Sequence, residues 1–192
     1  MKNIFLGLAI TAGTLSFAQE KAAASASPVK FGVKAGLNVS SINDNDSKAK
    51  AGFYGGFFAN IPVASSFSVQ PEVLYNGMGA KDKTYSSVKL NLDYISVPVM
   101  VQYNVLPDLY VEAGPQFSFA ISQKLKGDGG SVDVDQAFKG FDLGLGLGAG
   151  YYFEQKFGIT ARYVAGLTDI AENNTGDAVR NGVFQVGVAY KF

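Results

Sequence analysis

The chain has 192 residues, 16 basic and 16 acidic side chains, and no cysteine, histidine or tryptophan. Without cysteine there is no disulfide scaffold, and without histidine there are no Ser-His or Cys-His nucleophile pairs and no His-ligated zinc. The balanced charge argues against a nucleic-acid partner, which would demand a basic face.

Residues 1–18 read as a cleavable secretory signal. Lys2 supplies the charged start, Ile4 to Ile10 the apolar run, and Ser16-Phe17-Ala18 a small-x-small cleavage site. Removing them leaves 174 residues with 15 basic and 16 acidic groups, enough for one domain. Residues 19–29 are rich in Ala and Ser and read as a flexible lead-in. The domain proper is expected over 30–192. No later apolar run approaches the roughly 20 residues of a membrane helix, so any membrane passage must be by strands.

Eight segments alternate with period two, as strands do when their faces meet different environments. The first sets Phe31, Val33, Ala35 and Leu37 against Gly32, Lys34, Gly36 and Asn38. The second opposes Phe53, Phe57 and Ile61 to Tyr54, Gly56 and Asn60, and the third Val69, Val73 and Tyr75 to Gln70, Glu72 and Asn76. In the fourth, Ile95, Val97, Val99 and Val101 face away from Tyr94, Ser96, Met100 and Gln102. The fifth separates Val111, Ala113, Phe117 and Phe119 from Glu112, Gly114, Gln116 and Ser118. The sixth is the most regular: Leu143, Leu145, Leu147 and Ala149 alternate with Asp142, Gly144, Gly146, Gly148 and Gly150. The seventh opposes Phe157, Ile159, Ala161 and Tyr163 to Gly158, Thr160 and Arg162. The last sets Phe184, Val186, Val188, Tyr190 and Phe192 against Gln185, Gly187 and Lys191.

Connection lengths are a second signal. Links after the second, fourth and sixth segments are short, at 63–66, 106–108 and 154–156, whereas 41–50, 77–89, 123–136 and 168–181 read as long polar loops. Short turns at one end, long loops at the other and an even strand number are the organisation of outer-membrane barrels. The expected fold is therefore all-β: an eight-stranded antiparallel up-and-down transmembrane β-barrel in the cell outer membrane, with outer-membrane lipid as its surroundings. A soluble lipocalin-like ligand-binding barrel would turn its apolar face inward. Here that would crowd about forty bulky side chains into the small interior that eight strands enclose.

The polar face carries three acids, Glu72, Glu112 and Asp142, and three bases, Lys34, Arg162 and Lys191. Opposite charges sharing a narrow lumen are expected to pair, since an unpaired buried charge is costly. That expectation describes a filled lumen and no enzyme. Glycines on the same face leave room for longer neighbours such as Arg162 and Tyr152. Tyr75, Tyr103, Tyr151, Phe153, Phe157, Tyr190 and Phe192 suit interfacial girdles. The run Gly144 to Gly150 keeps strict period two, so it lacks the strand-turn-helix context of a dinucleotide loop. The pairs Asp44 with Asp46 and Asp133 with Asp135 lack the downstream Glu of a calcium loop and read as solvated turns. No cofactor or metal is expected.

At Val69-Gln70-Pro71-Glu72-Val73-Leu74-Tyr75, Tyr94-Ile95-Ser96-Val97-Pro98-Val99 and Val111-Glu112-Ala113-Gly114-Pro115 the chain resembles the outer-membrane β-barrel family of Bacteroidota that includes PorT-like proteins. The resemblance runs from about Lys30 to Phe192. It implies an eight-stranded barrel in the OmpA and OmpX style, inserted by the barrel-assembly machinery, with Phe192 and Tyr190 of the last strand as the insertion signal. Ser96 departs from the pattern, because the family often has Glu between the aromatic residue and the proline. Two roles stay open: a structural or interaction barrel, and a small-solute porin or secretion-associated component.

Overall fold

The computed structural model describes residues 28–43, 47–82, 89–127, 130–134, 139–171 and 178–192. The expected signal peptide and most of the lead-in lie outside the described residues. The strands are β1 (Lys30–Ile42), β2 (Ser47–Ala64), β3 (Phe67–Asp82), β4 (Lys89–Asn104), β5 (Leu109–Gly127), β6 (Gly130–Asp133), β7 (Phe141–Phe153), β8 (Phe157–Gly166) and β9 (Asn181–Lys191).

Eight of them form a closed antiparallel ring. Each pairs with its sequence neighbour, β5 pairs with β7, and β9 returns to β1. Closure leaves no unpaired edge, the condition for strands to cross hydrocarbon. The remaining strand, β6, is a four-residue exposed arm that folds back on the end of β5 outside the ring. The eight alternating segments of the sequence are β1 to β5 and β7 to β9.

The outer face is the apolar one. Phe57 and Leu147 are both 68% exposed, while their chain neighbours Phe58 and Gly146 are buried. A belt of this kind far exceeds the apolar patches a soluble monomer carries, and transfer to lipid stabilises each such side chain by about 1.5–3 kcal/mol. Aromatic residues border the belt on both sides. Near the short turns, Phe67 packs on Tyr103 and Phe157 on Tyr190, with ring centroids 4.9 and 4.8 Å apart. Towards the other end, Phe53 packs on Tyr75 and Phe119 on Phe141, at 5.2 and 5.5 Å. Tyr75 thus belongs to the girdle opposite that of the other six aromatic residues grouped with it from the sequence.

The long polar loops need correction. The stretch 41–50 is mostly strand, with β1 continuing to Ile42 and β2 starting at Ser47, and 77–89 and 123–136 likewise contain the ends of β3, β4 and β5 and all of β6. Beyond the bilayer the outer face turns polar and the inner face turns apolar around Met78, Ala80 and Leu92, so the apolar-out alternation breaks off in the sequence while backbone pairing continues. The longest link left is 167–180, between β8 and β9. A bulge accompanies this extension: Asp93 pairs with Ser122 but Tyr94 with Ala120, leaving Ile121 unopposed and 57% exposed.

At the short end, β7 turns into β8 through Glu154 and Gln155, whose φ values of 50° and 61° are left-handed. The Lys156 N–H donates to the Phe153 carbonyl at 3.0 Å. Gln155 donates its amide to the Pro107 carbonyl at 2.8 Å and to the Asp108 carboxylate, tying this turn to its neighbour.

Candidate functional site

Inward-facing residues divide the lumen into three layers. The middle layer holds the ions. Arg162 on β8 is 4% exposed. Its Nη1 and Nη2 donate to the two carboxylate oxygens of Glu72 on β3 at 2.9 and 2.8 Å, and its Nε donates to Glu112 Oε1 on β5 at 2.7 Å. Lys34 Nζ on β1 donates to Glu72 Oε1 at 2.8 Å. Two cations and two anions therefore balance within one cluster, as a buried ionic group must.

Register explains how Arg162 reaches Glu112 across an intervening strand. Glu112 pairs with Gly148, and Gly148 pairs with Arg162. A Cβ built at Gly148 would lie 3.0 Å from Glu112 Oε1, so the absent side chain is the gap the guanidinium crosses. Amides complete the layer: Gln70 donates to Glu72 at 2.8 Å and Gln102 to Glu112 at 2.9 Å, while Asn60 donates to Ser68 and Gln102 at 2.9 Å each. Ser96, where the family often carries Glu, instead shares a 2.9 Å hydrogen bond with Ser118.

Of the six charged residues expected in one network, the structure brings together Lys34, Glu72, Glu112 and Arg162. Asp142 and Lys191 face inward but stand apart, because they sit at opposite ends of the barrel. Asp142 accepts from Thr168 Oγ1 at 2.6 Å and from Asn181 Nδ2 at 2.9 Å, anchoring the start of the β8–β9 connection. Lys191 places Nζ 3.5 Å from the centroid of the Tyr152 ring, a cation–π contact at the short-turn rim, and has no ion pair among the described residues.

Below the ions lies an aromatic floor of Phe58, Tyr110 and Tyr152 with Ala189, the two tyrosine rings 5.8 Å apart. Gly150 makes room for it: a Cβ there would come within 2.4 Å of the Tyr110 hydroxyl. Above the ions lies an apolar cap of Ile42, Met78, Leu92, Tyr94, Val164 and Val183, into which Ile170 descends from the β8–β9 connection. The sequence reading treated the lumenal face as polar throughout and missed this cap. The available signal was that Leu74, Met78, Leu90, Leu92 and Tyr94 continue the inward parity of β3 and β4 while turning apolar.

The acidic pairs add no site. Asp44, Asp46 and Asp135 lie outside the described residues, and Asp133 stands 3.8 Å from Lys124 on the exposed arm. Among the described residues no group of three or more metal-ligating side chains gathers.

A closed antiparallel ring with an apolar belt between two aromatic girdles and a polar centre defines an integral β-barrel of the cell outer membrane. The chain belongs to the outer membrane protein beta-barrel domain family, whose model matches residues 17–172. No curated protein matches it. Among solved structures it is similar to Neisserial surface protein A, with 17% identity and a TM-score of 0.57 over 86% of this chain and 100% of that one. It is also similar to Ail, the attachment invasion locus protein of Yersinia pestis, with 16% identity and a TM-score of 0.54 over the same shares. At these identities the likeness shows the shared fold.

Proposed function

We propose that this outer-membrane protein is a closed barrel with a structural and interaction role, acting through the parts it holds outside the bilayer. The observation that carries this reading is the three-layer lumen: a charge-balanced plug spanning β1, β3, β5 and β8, with an aromatic floor and an apolar cap. A small-solute porin needs a continuous wet path, and each of the three layers obstructs one. The same geometry weighs against catalysis, since Glu72 and Glu112 both spend their oxygens on Arg162 and amide donors and leave no acid–base pair open to a substrate.

Liposome swelling tests this reading. Vesicles carrying the folded protein should swell in an isosmotic solution of a small sugar no faster than empty vesicles, and swelling at the rate of a general porin would contradict it.

Insertion by the barrel-assembly machinery belongs to the same proposal. Tyr190 and Phe192 lie at the end of the closing strand, Phe192 is 72% exposed, and its N–H donates to the Phe31 carbonyl at 2.9 Å, so the candidate signal is presented at the seam. The narrower kinship with PorT-like proteins of Bacteroidota rests on the sequence motifs around Glu72, Ser96 and Glu112, and no feature of the lumen favours a secretion role over a structural one.

A further inference from the structure

On the outer face of β2 to β5, above the upper girdle, the strand registers place four lysines side by side. Lys48 pairs with Lys81, Lys81 with Lys89, and Lys89 with Lys126. With strands about 4.8 Å apart, the row runs roughly 14 Å around the barrel. Lys124 lies two residues nearer the membrane on the same face of β5, opposite Asn91, with Asp133 of the β6 arm 3.8 Å away as its ion partner. Lys50 joins from the adjoining edge of β2: Lys81, Lys89, Lys126 and one acid, Asp93, are the charges that act on it, and its Nζ donates to the Met78 carbonyl at 2.7 Å. Like charges directly opposite one another destabilise a sheet. Two such pairs in succession, Lys81 with Lys89 and Lys89 with Lys126, are an arrangement that folding alone does not favour.

Height limits which lipid groups the row could reach. Tyr75 of the upper girdle and Lys81 are six residues apart on β3, about 20 Å along the strand and about 15 Å along the membrane normal at the usual tilt. Phospholipid headgroups occupy only about 5–8 Å beyond the hydrocarbon on each side. The row therefore stands above the lipid phosphates. Between it and the girdle lie Gly79, Asn91, Ser122 and one acid, Asp93, which pairs with Ser122 at the girdle's edge; none is aromatic, so there is no platform on which nucleic-acid bases could stack.

We propose that this lysine row docks an acidic polysaccharide lying along the cell surface, its carboxylate, sulfate or phosphate groups meeting Lys81, Lys89 and Lys126 and its hydroxyls meeting Asn91 and Ser122. The proposal deepens the interaction reading above but does not depend on a closed lumen, so swelling and glycan binding fail separately.

The test uses the folded protein in phosphatidylcholine nanodiscs, with heparin and polygalacturonate as probes, neutral dextran as a blank and a single-stranded oligonucleotide as a competitor. Neutralising three lysines together (Lys81→Gln, Lys89→Gln, Lys126→Gln) should weaken binding of both acidic glycans by about tenfold or more. Raising the salt should weaken wild-type binding further. Neutralising Lys30 and Lys156 at the opposite end should leave binding within about twofold of wild type, as expected for charges more than a Debye length from the row. Without glycan, the triple variant should unfold at the same temperature as wild type or higher. Unchanged glycan binding in the triple variant, equal loss in the control variant, a lower unfolding temperature, or an oligonucleotide that competes as well as the glycans would each overturn the proposal.

Discussion

Arg162 carries more of the lumen than any other side chain, because both buried carboxylates depend on it. Replacing it by Met leaves Glu72 with Lys34 but leaves Glu112 buried with only an amide donor. Breaking a buried ion pair from one side costs about 3–5 kcal/mol. Arg162→Met should lower the urea midpoint at which the detergent-folded barrel loses its compact gel mobility by that equivalent. Adding Glu112→Gln should recover most of the loss, since Glu72 keeps Lys34 as its partner and no buried charge is left stranded. If this double variant is no more stable than Arg162→Met, the cluster is not the coupled unit described here. Which of the six lumenal charges would meet was only partly legible at this scale. Parity put all six inside, but the pairing depends on strand stagger, which brings Glu72, Glu112 and Arg162 to one level and takes Asp142 and Lys191 to opposite ends. A one-dimensional pattern records parity and not height.

Among the elements, the strands were legible where the bilayer imposes two environments on two faces, and not beyond it. The regular alternation of β7, with glycine at 144, 146, 148 and 150, survives into the structure and blurs only at Gly148 and Ala149, which are both half-buried. The ends of β2 to β5 were read as loops because the apolar-out alternation stops at the membrane and reverses around the cap, although backbone pairing runs on through Lys48, Lys81, Lys89 and Lys126. Turns show local chemistry in tension with context. Glu154 and Gln155 adopt left-handed conformations that ordinary side chains disfavour. Replacing the pair by Asn-Gly should stabilise the β7–β8 hairpin by about 1 kcal/mol, because a side chain in the left-handed region costs roughly 1–2 kcal/mol and the flexibility of glycine takes back roughly 0.5–1 kcal/mol of the relief. Because Gln155 also braces the β4–β5 turn through Pro107 and Asp108, the single change Gln155→Gly should recover less than the isolated hairpin would. Thermal shifts on heat-modifiability gels check both, and a marked destabilisation by Asn-Gly would show that the brace outweighs the backbone conformation.

For the whole molecule, closure of the ring follows from the same constraint as the outward apolar face: in hydrocarbon every backbone group must find a partner and every exposed side chain must suit lipid. Those two demands made the barrel readable from the sequence. The contents of the lumen answer to a different demand, the filling of a fixed narrow volume, which mixes glycine, aromatic, apolar and ionic residues in layers and so shows only weakly in a linear pattern. Ile170 is the clearest case, since it reaches the cap from a connection that carries no alternation at all.

The central claim is that this barrel is sealed by its own side chains, and planar-bilayer recording tests it most directly. Wild-type protein should give no steady conductance at any voltage the membrane withstands. A variant with the ionic layer and floor reduced in size, combining Arg162→Ala, Glu72→Ala and Tyr110→Ala, should show discrete channel openings if it remains folded by gel mobility. Large, stable conductance from the wild-type protein would contradict the account.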